Sequence, residues 1–186
     1  MKRIVLFSVF VLALSLTLYA QDNPAFNVIV NNFAARNFAA QEISKAELDL
    51  IIQAGIRAPS AANRQPWHFT VVQDLALAKQ MVPQASDGNI LIIISAAGDG
   101  KTNGAAILDC ALATQSIYLA AQALGLGSRI YTGPIDNINA NFKSQLGLPS
   151  GHSAVALVRI GRLPAGVDAV SSASQRSSVN EKVSYK

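Results

Sequence analysis

The stretch from Ala105 to Leu124, A-A-I-L-D-C-A-L-A-T-Q-S-I-Y-L-A-A-Q-A-L, constrains this chain more than any other, because it is long enough for a helix and apolar almost all round. A helix without a clear polar face has to be buried in a large core or against another subunit. In a chain of 186 residues the second option carries weight, and it sets the expectation of a homodimer. Gly125 and Gly127 supply the helix stop. A second segment of this kind runs from Asn89 to Ala97, where I-L-I-I-I shows no alternation of polar and apolar residues. It reads as a central strand covered on both faces.

The other elements arrange themselves around these two. Ser44-Lys45-Ala46-Glu47 is a capping box, and Leu48, Ile51, Ile52, Gly55 and Ile56 follow at helical spacing. A helix is therefore expected from about Ser44 to Arg57, stopped before Pro59. Trp67 to Gln73 (W-H-F-T-V-V-Q) is rich in aromatic and β-branched residues and reads as a strand, after which Asp74 caps a short helix through Val82. Ser128 to Tyr131 is a short strand, Ile135 to Leu146 a helix, and Ser153 to Gly161 another strand. Arg162 to Lys186 has too little apolar content to fold alone, so it is either disordered or draped over a neighbour. The order of helices and strands is that of an α/β protein.

The N-terminus reads as a leader. Lys2 and Arg3 precede an apolar run from Ile4 to Leu18, and Leu18-Tyr19-Ala20 offers a small residue before the polar Gln21-Asp22-Asn23-Pro24. That is the layout of a secretory signal peptide over residues 1–20. The rival, a permanent anchor, falls short of the roughly 20 apolar residues a spanning helix needs. The expectation is export, with no membrane attachment after cleavage and one domain from Gln21 to Lys186. Of 15 Lys+Arg, two lie in the leader and leave 13 against 11 Asp+Glu, so the mature charge is about +2. With no run of basic residues, no nucleic-acid partner is expected. Cys110 stands alone in an apolar stretch and reads as a small buried hydrophobe, and with two His elsewhere no metal site is expected.

Several familiar motifs are set aside by order or spacing. Gly125-Leu126-Gly127-Ser128 lacks the third glycine of a dinucleotide fingerprint and follows a helix instead of preceding one. Gly151-His152-Ser153-Ala154-Val155 lacks the closing glycine of a nucleophile elbow. Ser95-Ala96-Ala97-Gly98-Asp99-Gly100-Lys101-Thr102 ends like a P-loop, but Ser95 replaces the first glycine and Asp99 places a carboxylate where phosphates would sit. The informative segment is Ala54 to Trp67, A-G-I-R-A-P-S-A-A-N-R-Q-P-W. It is a helix exit into a loop of small residues, at which a flat ring could approach the backbone, followed by two amides and a tryptophan.

This segment resembles the nitroreductase family of FMN-dependent oxidoreductases, whose early helix ends in A-P-S-x-x-N-x-Q-P-W; the match is Ala58, Pro59, Ser60, Asn63, Gln65, Pro66 and Trp67. Arg36-Asn37-Phe38 resembles the family's R-x-F, Leu119 to Gly127 its L-A-A-x-A-L-G-L-G, and Leu146-Gly147-Leu148-Pro149 with Val158-Arg159-Ile160-Gly161 its later motifs. The resemblance implies an α/β, three-layer sandwich with a central mixed sheet flanked by helices, dimeric through the buried long helix. It also implies FMN as cofactor, NAD(P)H as electron donor and a small-molecule acceptor such as a nitro compound or quinone.

Site residues follow from the same resemblance. Pro59, Ser60 and Ala61 lie along the flavin ring, Asn63 makes a polar contact near it, and Gln65 supports the loop. Tyr131, Thr132 and Gly133 present backbone near N5. Arg36 reaches the phosphate or the pyrimidine side, and Arg176 the phosphate. No catalytic side chain is implied, since the flavin carries the chemistry. In one respect the chain departs from the family's R-x-S-x-R-x-F, for Asn32 and Ala34 stand where a cation and a hydroxyl are usual. The stronger of the lost contacts is worth roughly 1.5–3 kcal/mol, which weakens FMN or shifts the flavin preference. Export also conflicts with a cytoplasmic nicotinamide donor, so an exported flavin-binding protein without turnover is the alternative.

Overall fold

The computed structural model describes residues 23–170 and 175–186, so the expected signal peptide over residues 1–20 lies outside the described residues. Four strands form one sheet in the order β1-β2-β4-β3: β1 Trp67–Val72, β2 Ile90–Ala97, β3 Leu126–Tyr131 and β4 His152–Arg162. The helices, in chain order, are α1 Pro24–Asn31, α2 Lys45–Ile56, α3 Leu75–Met81, α4 Gly104–Ala123, α5 Ile135–Asn141 and the single turn α6 Val179–Lys182.

Burial explains the central strand. Ile90, Ile92, Ile94 and Ala96 of β2 pack with Ala156, Val158 and Ile160 of β4 against Ile51 of α2 and Cys110, Ile117 and Ala121 of α4. Leu91 and Ile93 point the other way, joining Ala78 and Met81 of α3 and Ile138 of α5. Strand side chains alternate between faces. A run without alternation is therefore what a strand between two helical layers requires, and the result is the expected three-layer sandwich.

Each cap does the work its sequence suggests. Ser44 Oγ accepts from the Glu47 N–H at 3.3 Å while the Glu47 carboxylate accepts from the Ser44 N–H at 2.9 Å, and Asp74 accepts from the Leu77 N–H at 2.7 Å. α2 packs on α4 across Gly55, where a Cβ would stand 2.8 Å from Ile117 Cγ1. The glycine sets how closely the two helices approach.

Three expectations need correction. The sheet was expected to be mixed, but its three strand pairings are antiparallel, and the parallel component is the isolated Ala34–Ser128 bridge. Gly127 does not stop the long helix. Gly125, at φ +74, does so alone, and Gly127 is already in β3, paired with Gly161, at a place where a Cβ would meet Leu163 and Ala35 within 2.9 Å. The helix expected to reach Leu146 ends at Asn141. Within it, the Asn139 side chain ties the helix to β4, bonding the Ala154 N–H at 2.7 Å and C=O at 3.0 Å. Within one chain α4 buries one face: Ala106, Cys110, Ala113, Ile117 and Ala121 are covered, whereas Leu108 is 61% exposed.

Candidate functional site

The loop between α2 and β1 is held in an unusual backbone conformation. Ala62, Asn63 and Gln65 have φ of 51°, 54° and 48°. These are left-handed values that cost a residue with a side chain roughly 1–2 kcal/mol each. Internal bonds stabilise the turn: Asn63 N–H to Ser60 C=O at 3.0 Å, Arg64 N–H to Ala61 C=O at 3.2 Å, and Gln65 N–H to Ser60 Oγ at 3.0 Å. Gln65 Nε2 donates to Asn63 Oδ1 at 3.2 Å, so the two amides brace each other. Ala61 through Gln65 are all exposed, so the turn forms a shelf open to solvent that begins with two alanines. Backbone strain of this kind gathers at ligand clamps and active sites.

Arg36 and Tyr131-Thr132-Gly133 lie elsewhere, along the β3 edge. The Ala34–Ser128 bridge runs residues around Arg36 beside β3, and Tyr131 ends that strand with Thr132 and Gly133 exposed beyond it. Nothing stands within 4 Å of where a Gly133 Cβ would be, so the backbone there is approachable. Arg36 makes no hydrogen bond or ion pair among the described residues, and with Phe33, Asn37, Arg129, Leu163 and Pro164 it lines a cleft of about 390 Å³. Phe38, two residues on, fills the notch over Gly161, where a Cβ would meet its ring at 2.6 Å, and Arg159 sits 4.2 Å from the ring centre. Asn32 is spent on capping α1, donating to Val28 and Ile29 C=O, and it accepts from Tyr118 Oη at 3.1 Å. Neither it nor Ala34 supplies a cation. Arg176 is exposed in the C-terminal segment, where Nη1 donates to Gln175 C=O at 3.4 Å; it is not among the cleft's lining residues.

The sequence-derived site therefore divides into two places. β1 and β3 are opposite edges of the sheet, and three strand spacings separate them by about 14 Å. Helix α4 ties down both: Asp109 Oδ1 accepts from the Ala61 N–H at 3.0 Å, while Gln122 accepts from the Phe33 N–H and donates to its C=O, both at 3.2 Å. Thirteen residues between those anchors correspond to about 20 Å of helix. Asp109, Gln122 and Arg129 were not singled out from the sequence. For Asp109 a signal existed, since it is the one charged residue within the apolar run from Ala105 to Leu124.

Other chemistry is disfavoured by what its residues do. In the P-loop-like segment, the Lys101 and Thr102 N–H groups both donate to Asp99 Oδ1 at 2.8 Å, so the turn cradles its own carboxylate. Those bonds hold the Asp99 carboxyl below its ordinary range. Burial, with Asp109 adding to it, pushes the Cys110 thiol up to about 11, which suits a core residue and not a nucleophile.

Comparison with known proteins bears on the same architecture. The family model "Nitroreductase family" matches residues 33–92 and 86–162. The chain is 33% identical over 144 residues to an Archaeoglobus fulgidus protein named as a candidate NADH dehydrogenase/NAD(P)H nitroreductase, covering 72% of this chain and 82% of that one. Among solved structures, it is similar to a candidate NADH dehydrogenase/NAD(P)H nitroreductase of Bacteroides thetaiotaomicron, with a TM-score of 0.72, 26% identity and coverage of 88% and 97% of the two chains. A nitroreductase of Desulfitobacterium hafniense with bound FMN superposes with a TM-score of 0.71 at 24% identity, covering 88% and 98%. The matched segments take in the strained loop, all four strands and the helix that anchors both halves of the site, and the chain belongs to the nitroreductase family.

Proposed function

We propose that this protein is an FMN-dependent oxidoreductase of the nitroreductase type, acting from NAD(P)H onto a small electrophilic acceptor such as a nitro compound or quinone. The observation that carries the reading is the exposed shelf from Pro59 to Gln65, locked in left-handed backbone by its own hydrogen bonds. The residues present fit a flavin. A flat ring needs an approachable backbone, which Ala61, Ala62 and Gly133 give, and a phosphate needs a cation, which Arg36 gives in an open cleft. Bound FMN supplies the two-electron chemistry, by hydride transfer through N5. Pro59, Ser60 and Ala61 would support the ring face, Asn63, braced by Gln65, would offer a polar contact, and Tyr131, Thr132 and Gly133 would border the reactive edge. Arg36 would hold the phosphate, helped by Arg176 where the C-terminal segment approaches.

The two-place layout supports a site shared between subunits. A single flat ring cannot touch both sheet edges of one protomer, whereas a two-fold partner can bring its shelf to this protomer's β3 edge. The surface for such a partner exists. Leu108 and Leu112 on the outer face of α4, with Phe26, Ile29 and Val30 of α1, are all more than a third exposed. Between these helices lies an apolar groove of about 460 Å³ lined by Ile29, Leu119 and Ala123. Val179, Val183 and Tyr185 are also exposed, which suits a C-terminal segment laid over a neighbour. A signal peptide over residues 1–20 would carry the mature protein out of the cytoplasm, and N-terminal sequencing of material from that compartment checks the location.

The test is spectroscopic. Protein purified from its native host should be yellow, bleach with NADH or NADPH and recover its colour on addition of a nitroarene. Colourless protein with no affinity for FMN or riboflavin at micromolar concentration sinks the reading.

A further inference from the structure

Asp109, the one charged residue of α4, is 2% exposed, and none of the polar chemistry proposed above uses it. Burying a carboxyl in such surroundings is unfavourable unless it is paired. Here it is half paired: Oδ1 accepts from the Ala61 N–H at 3.0 Å, and Oδ2 is buried with no partner. A contact kept at that cost is kept for what it fixes. Among the described residues, the Ala61–Asp109 bond is the one hydrogen bond that ties residues 59–66 to another element; the remaining bonds of the loop are internal. The internal bonds can hold the shape of the turn but not its place. Ala61 is followed at once by the left-handed Ala62 and Asn63, so the residue that is anchored is the one at which the strained segment begins.

We infer that Asp109 is the positioning residue of the shelf: its carboxyl holds the Ala61 N–H and so presents Pro59–Gln65 to the ligand in one orientation. The inference rests on the flavin reading for its consequence but not for its geometry. Asp109 does not touch the ligand; it sets the fraction of molecules whose shelf is ready, and the apparent dissociation constant rises as the inverse of that fraction. Because Leu108, beside it, belongs to the exposed outer face of the same helix, the shelf takes its position from the element that also carries the proposed subunit contact.

Two variants separate positioning from simple support of the fold. Asp109→Leu removes the acceptor but fills the space with an apolar side chain, and it also removes the unpartnered oxygen. Asp109→Asn keeps an acceptor for the Ala61 N–H. In flavin-free protein, hydrogen exchange at the Ala61 amide should quicken by about tenfold or more in Asp109→Leu and stay near wild type in Asp109→Asn. The melting temperature of Asp109→Leu should match or exceed that of wild type. The dissociation constant for FMN should rise about tenfold or more in Asp109→Leu and less than about threefold in Asp109→Asn. Unchanged Ala61 exchange in Asp109→Leu overturns the inference. So does FMN affinity equal to wild type, or a fall in melting temperature that accompanies the loss of affinity and that Asp109→Asn shares. If wild type itself binds no flavin, the proposed function fails, while the exchange measurement still decides what Asp109 does.

Discussion

At the scale of single residues, charge and backbone conformation make separate predictions. Arg36 is the cation of the β3-edge cleft and has no protein partner among the described residues. Arg36→Ala should therefore weaken FMN about tenfold or more and riboflavin little, by isothermal titration, because only the first carries a phosphate. Equal losses would move Arg36 away from the phosphate. Asn63 holds a left-handed φ that asparagine tolerates better than alanine, and it braces Gln65. Asn63→Ala should lower flavin occupancy of purified protein more than it lowers melting temperature. Glu47 predicts a pH dependence. Hydrogen bonds from the Ser44 side chain and backbone, then Arg162 at 2.7 Å, hold its carboxyl down from 4.5 to about 2. A carboxyl depressed on folding stabilises the fold above its unfolded value and loses that contribution as pH falls towards its folded value. Wild type should lose melting temperature between about pH 4.5 and pH 2 more steeply than Glu47→Gln, and parallel curves would place the acid sensitivity elsewhere.

Among the elements, α2 and α4 depend on the absence of one side chain. A Gly55 Cβ would lie 2.8 Å and 2.9 Å from Ile117 Cγ1 and Cδ1 and 3.1 Å from Phe69. Gly55→Leu should cost about 1–3 kcal/mol through overpacking, read as a lower denaturation midpoint with an unchanged slope. Gly55 was legible in the sequence as part of the helix's apolar stripe, yet its task of close approach was not, because Ile117 is 62 positions away. The capping boxes and β2 were readable for the opposite reason. Ser44 with Glu47, Asp74 with Leu77 and the unbroken apolar run from Ile90 to Ile94 are local features, readable within one turn or one strand. Where a local rule met distant packing it failed: the helix expected to reach Leu146 ends at Asn141, and Gly127 lies in a strand against Leu163 and Ala35.

For the whole molecule, the decisive quantity is the number of subunits. α4 is covered on one side by the sheet and α2, while its outer side leaves Leu108 61% exposed, and towards its C-terminal end Leu119 and Ala123 line the apolar groove with α1. The proposed site shared between subunits predicts that Leu108→Glu converts a dimer into a monomer by light scattering and releases flavin in the same step. Flavin retained by a monomer would place the whole site within one chain. The sequence alone determined the α/β class, the three layers, the caps and the family, because periodicity, capping chemistry and a motif of fixed spacing are all properties of neighbouring residues. Tertiary structure decided the rest. It made the sheet antiparallel, spent Asn32 on a helix end, and set Arg36 and the Pro59–Gln65 loop on opposite edges with α4 anchoring both. Distances between segments far apart in the chain arise only from packing, and no local pattern around Arg36 or around the Pro59–Gln65 loop carries the separation between them.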